Sequence, residues 1–247
     1  MKSIGTTALV LLVLASACSA QEISGTIIIK KRLTRRSVTA SVSVYQRGTS
    51  VKLGKAGDED PIAFERSRVV VYLEGEVAGN AAAADPKPVE IKQIDRQFVP
   101  DLAVVPVGAT VSFPNMDPIF HDVYSLSKVK SFDLGAYDKG QTRRVAFIKP
   151  GVVEVYCHLH PNMAATIVVL ANRYYARPDR DGQYRIAKVP PGHYTLVAWH
   201  KSAGFFRKSI DVGADQTATA DFIIPLDVDG KEEAVSGQEH ERGAGSQ

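Results

Sequence analysis

The chain of 247 residues holds only two cysteines, three methionines and one tryptophan. Cys18 lies in the apolar N-terminal segment, so Cys157 is the single thiol of the folded part, and an internal disulfide framework is excluded there. Charge of one sign is also scarce. Thirty Lys and Arg against 27 Asp and Glu leave a formal +3, or +2 if Lys2 leaves with a leader, too little to argue for nucleic acid. Past the first twenty residues, no apolar run is long enough to span a bilayer. There is no internal repeat, no phosphate-binding glycine loop, no nucleophile elbow and no carboxylate pair in a recognisable motif. These absences argue against nucleotide-dependent and acyl-transfer chemistry, and the chain is expected not to be an enzyme.

What is present is concentrated in Tyr156-Cys157-His158-Leu159-His160-Pro161-Asn162-Met163. Cys157 and His160 are three residues apart, and Met163 follows three further on. A second imidazole, His121, stands upstream in Asn115-Met116-Asp117-Pro118-Ile119-Phe120-His121. Taken singly, each has a plainer role: a solvated histidine, a small buried thiol, a methionine filling the core. Taken together, two imidazoles, a thiolate and a weak axial thioether are the ligand set of a mononuclear blue-copper site. Soft sulfur stabilises Cu(I), imidazole suits both oxidation states, and a trigonal set changes oxidation state with little rearrangement. A lone thiol kept in an exported, oxidising setting is a liability unless a metal occupies it.

Residues 89–171 resemble a cupredoxin, and the ligand loop looks most like that of the amicyanin group. Its Cys-x-x-His-Pro-x-Met pattern is matched by Cys157, His160, Pro161 and Met163, and its upstream pattern by Phe113, Asn115, Asp117 and His121. Phe98-Val99-Pro100 and Val107-Gly108-Ala109-Thr110-Val111 are similar to the family's opening strands. The resemblance implies one copper ion held by His121, Cys157, His160 and Met163. Asp122 stands where many cupredoxins carry Asn, a departure that bears on the hydrogen bonds between the two ligand loops and so on the reduction potential.

Along the chain, residues 1–20 read as a signal peptide. Cleavage after Ala20 would release a soluble protein, whereas Leu14-Ala15-Ser16-Ala17-Cys18 loosely resembles a lipoprotein signal with Cys18 lipidated. Residues 22–78 carry β-branched runs at Thr26–Ile29, Ser37–Val44 and Val69–Leu73, with a loop from Gly54 to Pro61. The local basic group Lys30, Lys31, Arg32, Arg35 and Arg36 reads as a solvated strand edge. Gly79 to Pro88 reads as a linker. Residues 89–171 predict strands at Val89–Ile94, Ala103–Val107, Thr110–Pro114, Asp122–Leu126, Thr142–Phe147, Val152–Tyr156 and Ala165–Leu170, the last a run suited to burial on both faces. Residues 172–226 resemble a carboxypeptidase-regulatory or transthyretin-like sandwich, through Asp181-Gly182 before one strand and Pro191-Gly192-His193-Tyr194 opening another. Residues 227–247 are polar, with no aromatic residue, and are expected to be disordered. The predicted fold is all-β: a Greek-key cupredoxin sandwich inserted into a second, discontinuous sandwich built from residues 22–78 and 172–226.

The expected function is electron transfer in the periplasm, with a redox partner docking near His160 over Leu159, Pro161, Ile119 and Phe120. Two alternatives stay open: a copper carrier, buffer or sensor, and an envelope interaction module. Of the other histidines, His158 is expected not to ligate. His193 should face solvent, and His200 reads as either surface or interface.

Overall fold

The computed structural model describes residues 21–34, 60–77, 89–214 and 216–225. The expected leader with Cys18, the strand at 37–44, the linker at 79–88 and the tail at 227–247 lie outside the described residues. In chain order the elements are β1 (Glu22–Ile29), α1 (Pro61–Arg66), β2 (Val69–Leu73), β3 (Val89–Glu90), β4 (Lys92–Ile94), β5 (Gln97–Val99), β6 (Leu102–Pro106) and β7 (Thr110–Pro114). There follow β8 (His121–Ser127), β9 (Lys130–Tyr137), β10 (Thr142–Ala146), β11 (Gly151–Cys157), β12 (Ala164–Leu170) and β13 (Tyr175–Ala176). The last are β14 (Gln183–Ala187), β15 (Gly192–His200), β16 (Gly204–Val212), β17 (Thr217–Thr219) and β18 (Phe222–Ile224). The all-β expectation holds, with one short helix among the described residues.

Two pairs of sheets bury two separate cores. In the first pair, β1 lies between β14 on one side and β17 and β18 on the other, and faces the sheet β13-β2-β15-β16. Their shared core holds Ile23, Ile27, Val69, Val71, Tyr184, Leu196 and Phe222. Gly25 sits where β1 passes from its pairing with β17 to its pairing with β18. A Cβ there would lie 1.9 Å from the Ala220 carbonyl oxygen, so only glycine permits the approach. In the second pair, β10-β7-β3 faces β6-β12-β11-β8-β9, around Phe113, Tyr137, Phe147, Val155 and Ile167.

The unbroken apolar strands explain how the two cores meet. Along β12, Ala165, Ile167 and Val169 point into one core, and Val168 and Leu170 point the other way, onto Val70 of β2 and Trp199 of β15. Successive side chains of a strand alternate between faces, so the apolar run Ile167–Leu170 serves two cores at once, while the buried Thr166 hydroxyl donates to Glu154 at 2.9 Å. The ion pair Arg68–Asp101 and that between Lys201 and Glu154, at 3.4 Å, flank this contact.

The structure departs from the sequence expectation in four places. Val89–Ile94 is two short strands, because Ile91 turns into the core between them. Pro61 does not close a loop but opens α1: Asp60 caps the helix by accepting the Ile62 N–H at 2.9 Å, with proline at the first turn, a start signal legible in Asp60-Pro61. The strand β9 was not anticipated. His200, read as surface or interface, is not at the surface: it is fully buried, 3.2 Å from the Glu65 carboxylate.

Glu65 itself accepts the Leu33 and Thr34 N–H groups at 2.9 and 2.7 Å and the Thr34 hydroxyl at 2.8 Å, tying α1 to the segment that follows β1. Burial opposes its ionisation, but these bonds outweigh burial and hold its pKa below the ordinary 4.5. Burial pushes His200 below 6.5. In both groups the unfolded chain takes up protons more readily than the folded one, so stability is present at neutral pH and is lost on acidification, below pH 6.5 for His200 and below 4.5 for Glu65. Glu65→Gln should cost about 2 kcal/mol at pH 7 and should lessen the stability lost below pH 4.5; urea unfolding at pH 7 and at pH 4 checks both.

Candidate metal centre

The site forms where two antiparallel neighbours end together. β11 pairs with β8 through Tyr156↔Tyr124 and Cys157↔Val123, so the last residue of β11 and the first of β8 share one end of the sheet. His121 therefore stands beside Cys157. The turn from β11 into β12 returns over the same end, carrying His160, and its backbone carbonyl accepts the Met163 N–H at 3.0 Å. Met163 is buried in the core cluster that also holds Cys157.

Three donor atoms converge. His121 Nδ1 and His160 Nδ1 are 3.1 Å apart, and Cys157 Sγ lies 3.8 and 3.6 Å from them. The centre of a circle through those three corners is about 2.0 Å from each, close to metal–imidazole and metal–thiolate bond lengths. Among the described residues, His121, Cys157 and His160 form one of two side-chain groups compact enough to hold a metal ion.

The surroundings fix which atoms face the centre. Asp117 Oδ2 lies 2.9 Å from His121 Nε2, and both groups are buried. The Asp117 carboxylate also accepts the Asp95 and Arg96 N–H groups at 2.7 and 2.9 Å. Burial alone would raise its pKa, but these bonds and His121 bring it below the ordinary value of 3.8. An ionised carboxylate only accepts, so Nε2 of His121 carries the proton, and its Nδ1 lone pair is left toward the centre. The turn that supplies the two N–H groups is a two-residue hairpin between β4 and β5, with Asp95 and Arg96 both left-handed at φ 52° and 57°. Neither residue is glycine, so this geometry costs of order 1 kcal/mol each, offset by the two charge-assisted bonds to Asp117. Asn115 holds the intervening loop: its amide donates to Ile119 O at 2.8 Å and Tyr137 O at 3.0 Å, and its Oδ1 accepts the Asp117 N–H at 2.9 Å.

The electrostatics suit a thiolate facing neutral imidazole. Burial raises the Cys157 pKa, but a hydrogen bond with His121 and backbone N–H groups of Asp122, Leu159 and His160 bring it below 9.0. Burial, His121 and Arg96 lower His160, leaving its imidazole neutral. Burial opposes protonation of His121, while the Cys157 sulfur and Asp117 favour it, and the net shift is upward. The donor set and its spacing fit a soft metal.

Of the four residues singled out from sequence, His121, Cys157 and His160 converge, and Met163 lies buried three residues past His160. His158 turns away: its ring stacks on Tyr124, with centroids 3.7 Å apart and planes 10° apart. His193 is exposed and paired with Asp211 at 2.7 Å. The sequence reading missed the Asp95-Arg96 turn and Tyr137, whose hydroxyl donates to Phe113 O at 2.9 Å beneath the site. Asp122, in place of Asn, still sends its backbone N–H to the Cys157 sulfur, but its side-chain Oδ1 is buried without a partner.

Comparison with known proteins adds the following. The family model that matches is polysaccharide lyase family 4, domain II, over residues 162–220. A search of curated proteins finds no match. Among solved structures, a Cu-containing nitrite reductase from Thermus scotoductus SA-01 aligns at 30% identity over 38% of this chain and 25% of that one, with a TM-score of 0.33. The chain thus spans a quarter of that protein's length. A purple cupredoxin from Nitrosopumilus maritimus aligns at 24% identity over 33% of this chain and 98% of its own, with a TM-score of 0.31. A reduced amicyanin variant aligns at 22% identity over 40% of this chain and 97% of its own, with a TM-score of 0.33.

Asp117→Asn leaves the shape intact but removes the acceptor-only partner of His121. It should weaken metal binding by ten- to a hundredfold, measured by competition against a chelator of known affinity.

Proposed function

We propose that this chain is a mononuclear copper protein that carries electrons. The observation that carries the reading is the triangle of two imidazole nitrogens and one sulfur around a common centre at bonding distance. Two imidazoles and a thiolate favour copper over hard cations, and Met163, buried in the same cluster as Cys157, would be the fourth residue to hold the ion. Copper bound there would supply a one-electron Cu(I)/Cu(II) couple. The protein's own part is to keep the ligands fixed in both states. His121 is held by Asp117, Asp117 by the hairpin turn, and the loop by Asn115, so little rearrangement accompanies a change of charge. The backbone N–H groups on the sulfur temper its donor strength, and burial of His121, Cys157 and Met163 keeps water from the centre.

His160 is the half-exposed ligand, and its ring edge is the proposed exit for electrons. Leu159 and Phe120 are 50% and 55% exposed, and Met116 and Ile119 are exposed as well; with Pro161 they offer an apolar surface for a redox partner. We propose export to the periplasm, with Cys18 as the lipidation point if the leader is processed there. No helix among the described residues is long and apolar enough to cross a membrane. The second sandwich, assembled on β1 and β2, is proposed as a transthyretin-like module that carries the copper domain.

Copper-loaded full chain should show an intense visible band of thiolate-to-Cu(II) charge transfer, and Cys157→Ser should abolish it. A colourless oxidised holoprotein would sink this reading. A coloured protein that exchanges electrons slowly but hands its copper readily to an acceptor would favour a carrier or buffer instead.

A further inference from the structure

A second group of metal-ligating side chains stands on the other side of Cys157. One carboxylate oxygen each of Asp122 and Asp133, and one ring nitrogen of His158, lie within 4.8 Å of one another. They come from three places: the start of β8, the middle of β9, and the residue just after β11. The pairing of β8 with β9 shifts register between Asp122 and Tyr124. Such a bulge re-aims side chains, and here it sets Asp133 against Asp122. Gly135, left-handed at φ 65°, lets the bulged strand turn back, and its N–H fixes Asp133 Oδ1 at 2.9 Å. His158 is held by the Tyr124 stack, and its Nε2 lies 3.6 Å from Asp133 Oδ2, beyond hydrogen-bond length.

Two features suit this group to a cation. Asp122 is partly buried, and no N–H donates to its shielded Oδ1; the group that its carboxyl meets is the Asp133 carboxyl. The two carboxyls also face each other at close range, and the nearest positive group, His158, stands 3.6 Å from Asp133, an arrangement in which the acids share either a proton or a cation. Two carboxylate oxygens and one imidazole nitrogen, partly open to solvent, are the donors of a divalent first-row ion that keeps water in its remaining positions.

We propose that Asp122, Asp133 and His158 form a second metal site, for a divalent ion of the Zn2+ class. The site joins β8 and β9 to the ligand loop through His158. It is separate from the thiolate site: it uses none of its ligands, and its existence does not depend on copper.

The probe is Zn2+, added to copper-loaded full chain in equilibrium dialysis with analysis of both metals. The expected result is one zinc per chain beyond the copper, with copper content unchanged. Asp133→Asn and His158→Ala should each weaken zinc binding at least tenfold while keeping the visible band of the copper. Both side chains are largely solvent-facing, at 62% and 46% exposed, and Asn can still accept the Gly135 N–H, so folding is preserved. No zinc uptake by the copper-loaded chain, or equal uptake by Asp133→Asn, overturns the proposal. Cys157→Ser separates the two sites: zinc binding by this variant that is lost on adding Asp133→Asn upholds the second site even if the copper reading fails. Zinc uptake by Cys157→Ser that is indifferent to Asp133 counts against it.

Discussion

The pairing of Cys157 with Val123 across β11 and β8 is the constraint on which the candidate metal site depends. Because that pairing is antiparallel, the end of one strand and the start of the other share an edge of the sheet, and His121 stands beside the thiol without any further device. The ladder continues through β12, whose opening residue follows Met163, so the short turn between them has no freedom to carry His160 elsewhere. A one-residue slip would move Cys157 to the other face of the sheet. The apolar residues of β11 and β12 forbid such a slip, because Val153, Val155, Ala165 and Ile167 would leave the core together.

Around that edge, a chain of polar contacts decides orientation rather than position. The carboxylate of Asp117 accepts from a strained two-residue turn on one side and from His121 on the other. Local backbone strain is thereby converted into the tautomer and direction of one imidazole. Buried polar groups joined this way are rigid when every partner is present. Asp122 departs from that completeness, and it sits at the boundary between the thiolate site and the cluster with Asp133 and His158.

Much of this was legible in the residues, for physical reasons that differ from part to part. Thr110–Pro114 and Val69–Leu73 read correctly as strands because β-branched alternation and flanking turns are local signals. β12 read as buried on both faces because Ile167–Leu170 is apolar throughout and Thr166 is its one polar residue. Cys157, His160 and Met163 could be grouped because seven residues contain them; His121 needed the family pattern, since 36 residues separate it from Cys157. β9 was hidden because Asp133 and Gly135 break its pattern, although Phe132 and Leu134 keep the alternation that packs it on the core. The Asp122–Asp133–His158 group was not legible at all, because a bulge sets its register and no spacing rule reports a bulge. The ambiguity at His200 had the same origin: its partner Glu65 lies on a helix so short that only Asp60-Pro61 announces it.

The central claim is that one sulfur and two ring nitrogens share a copper ion. X-ray absorption at the copper edge of the loaded full chain tests it most directly. The account predicts an inner shell with a single sulfur scatterer and two imidazole nitrogens. An inner shell of nitrogen and oxygen alone would contradict it.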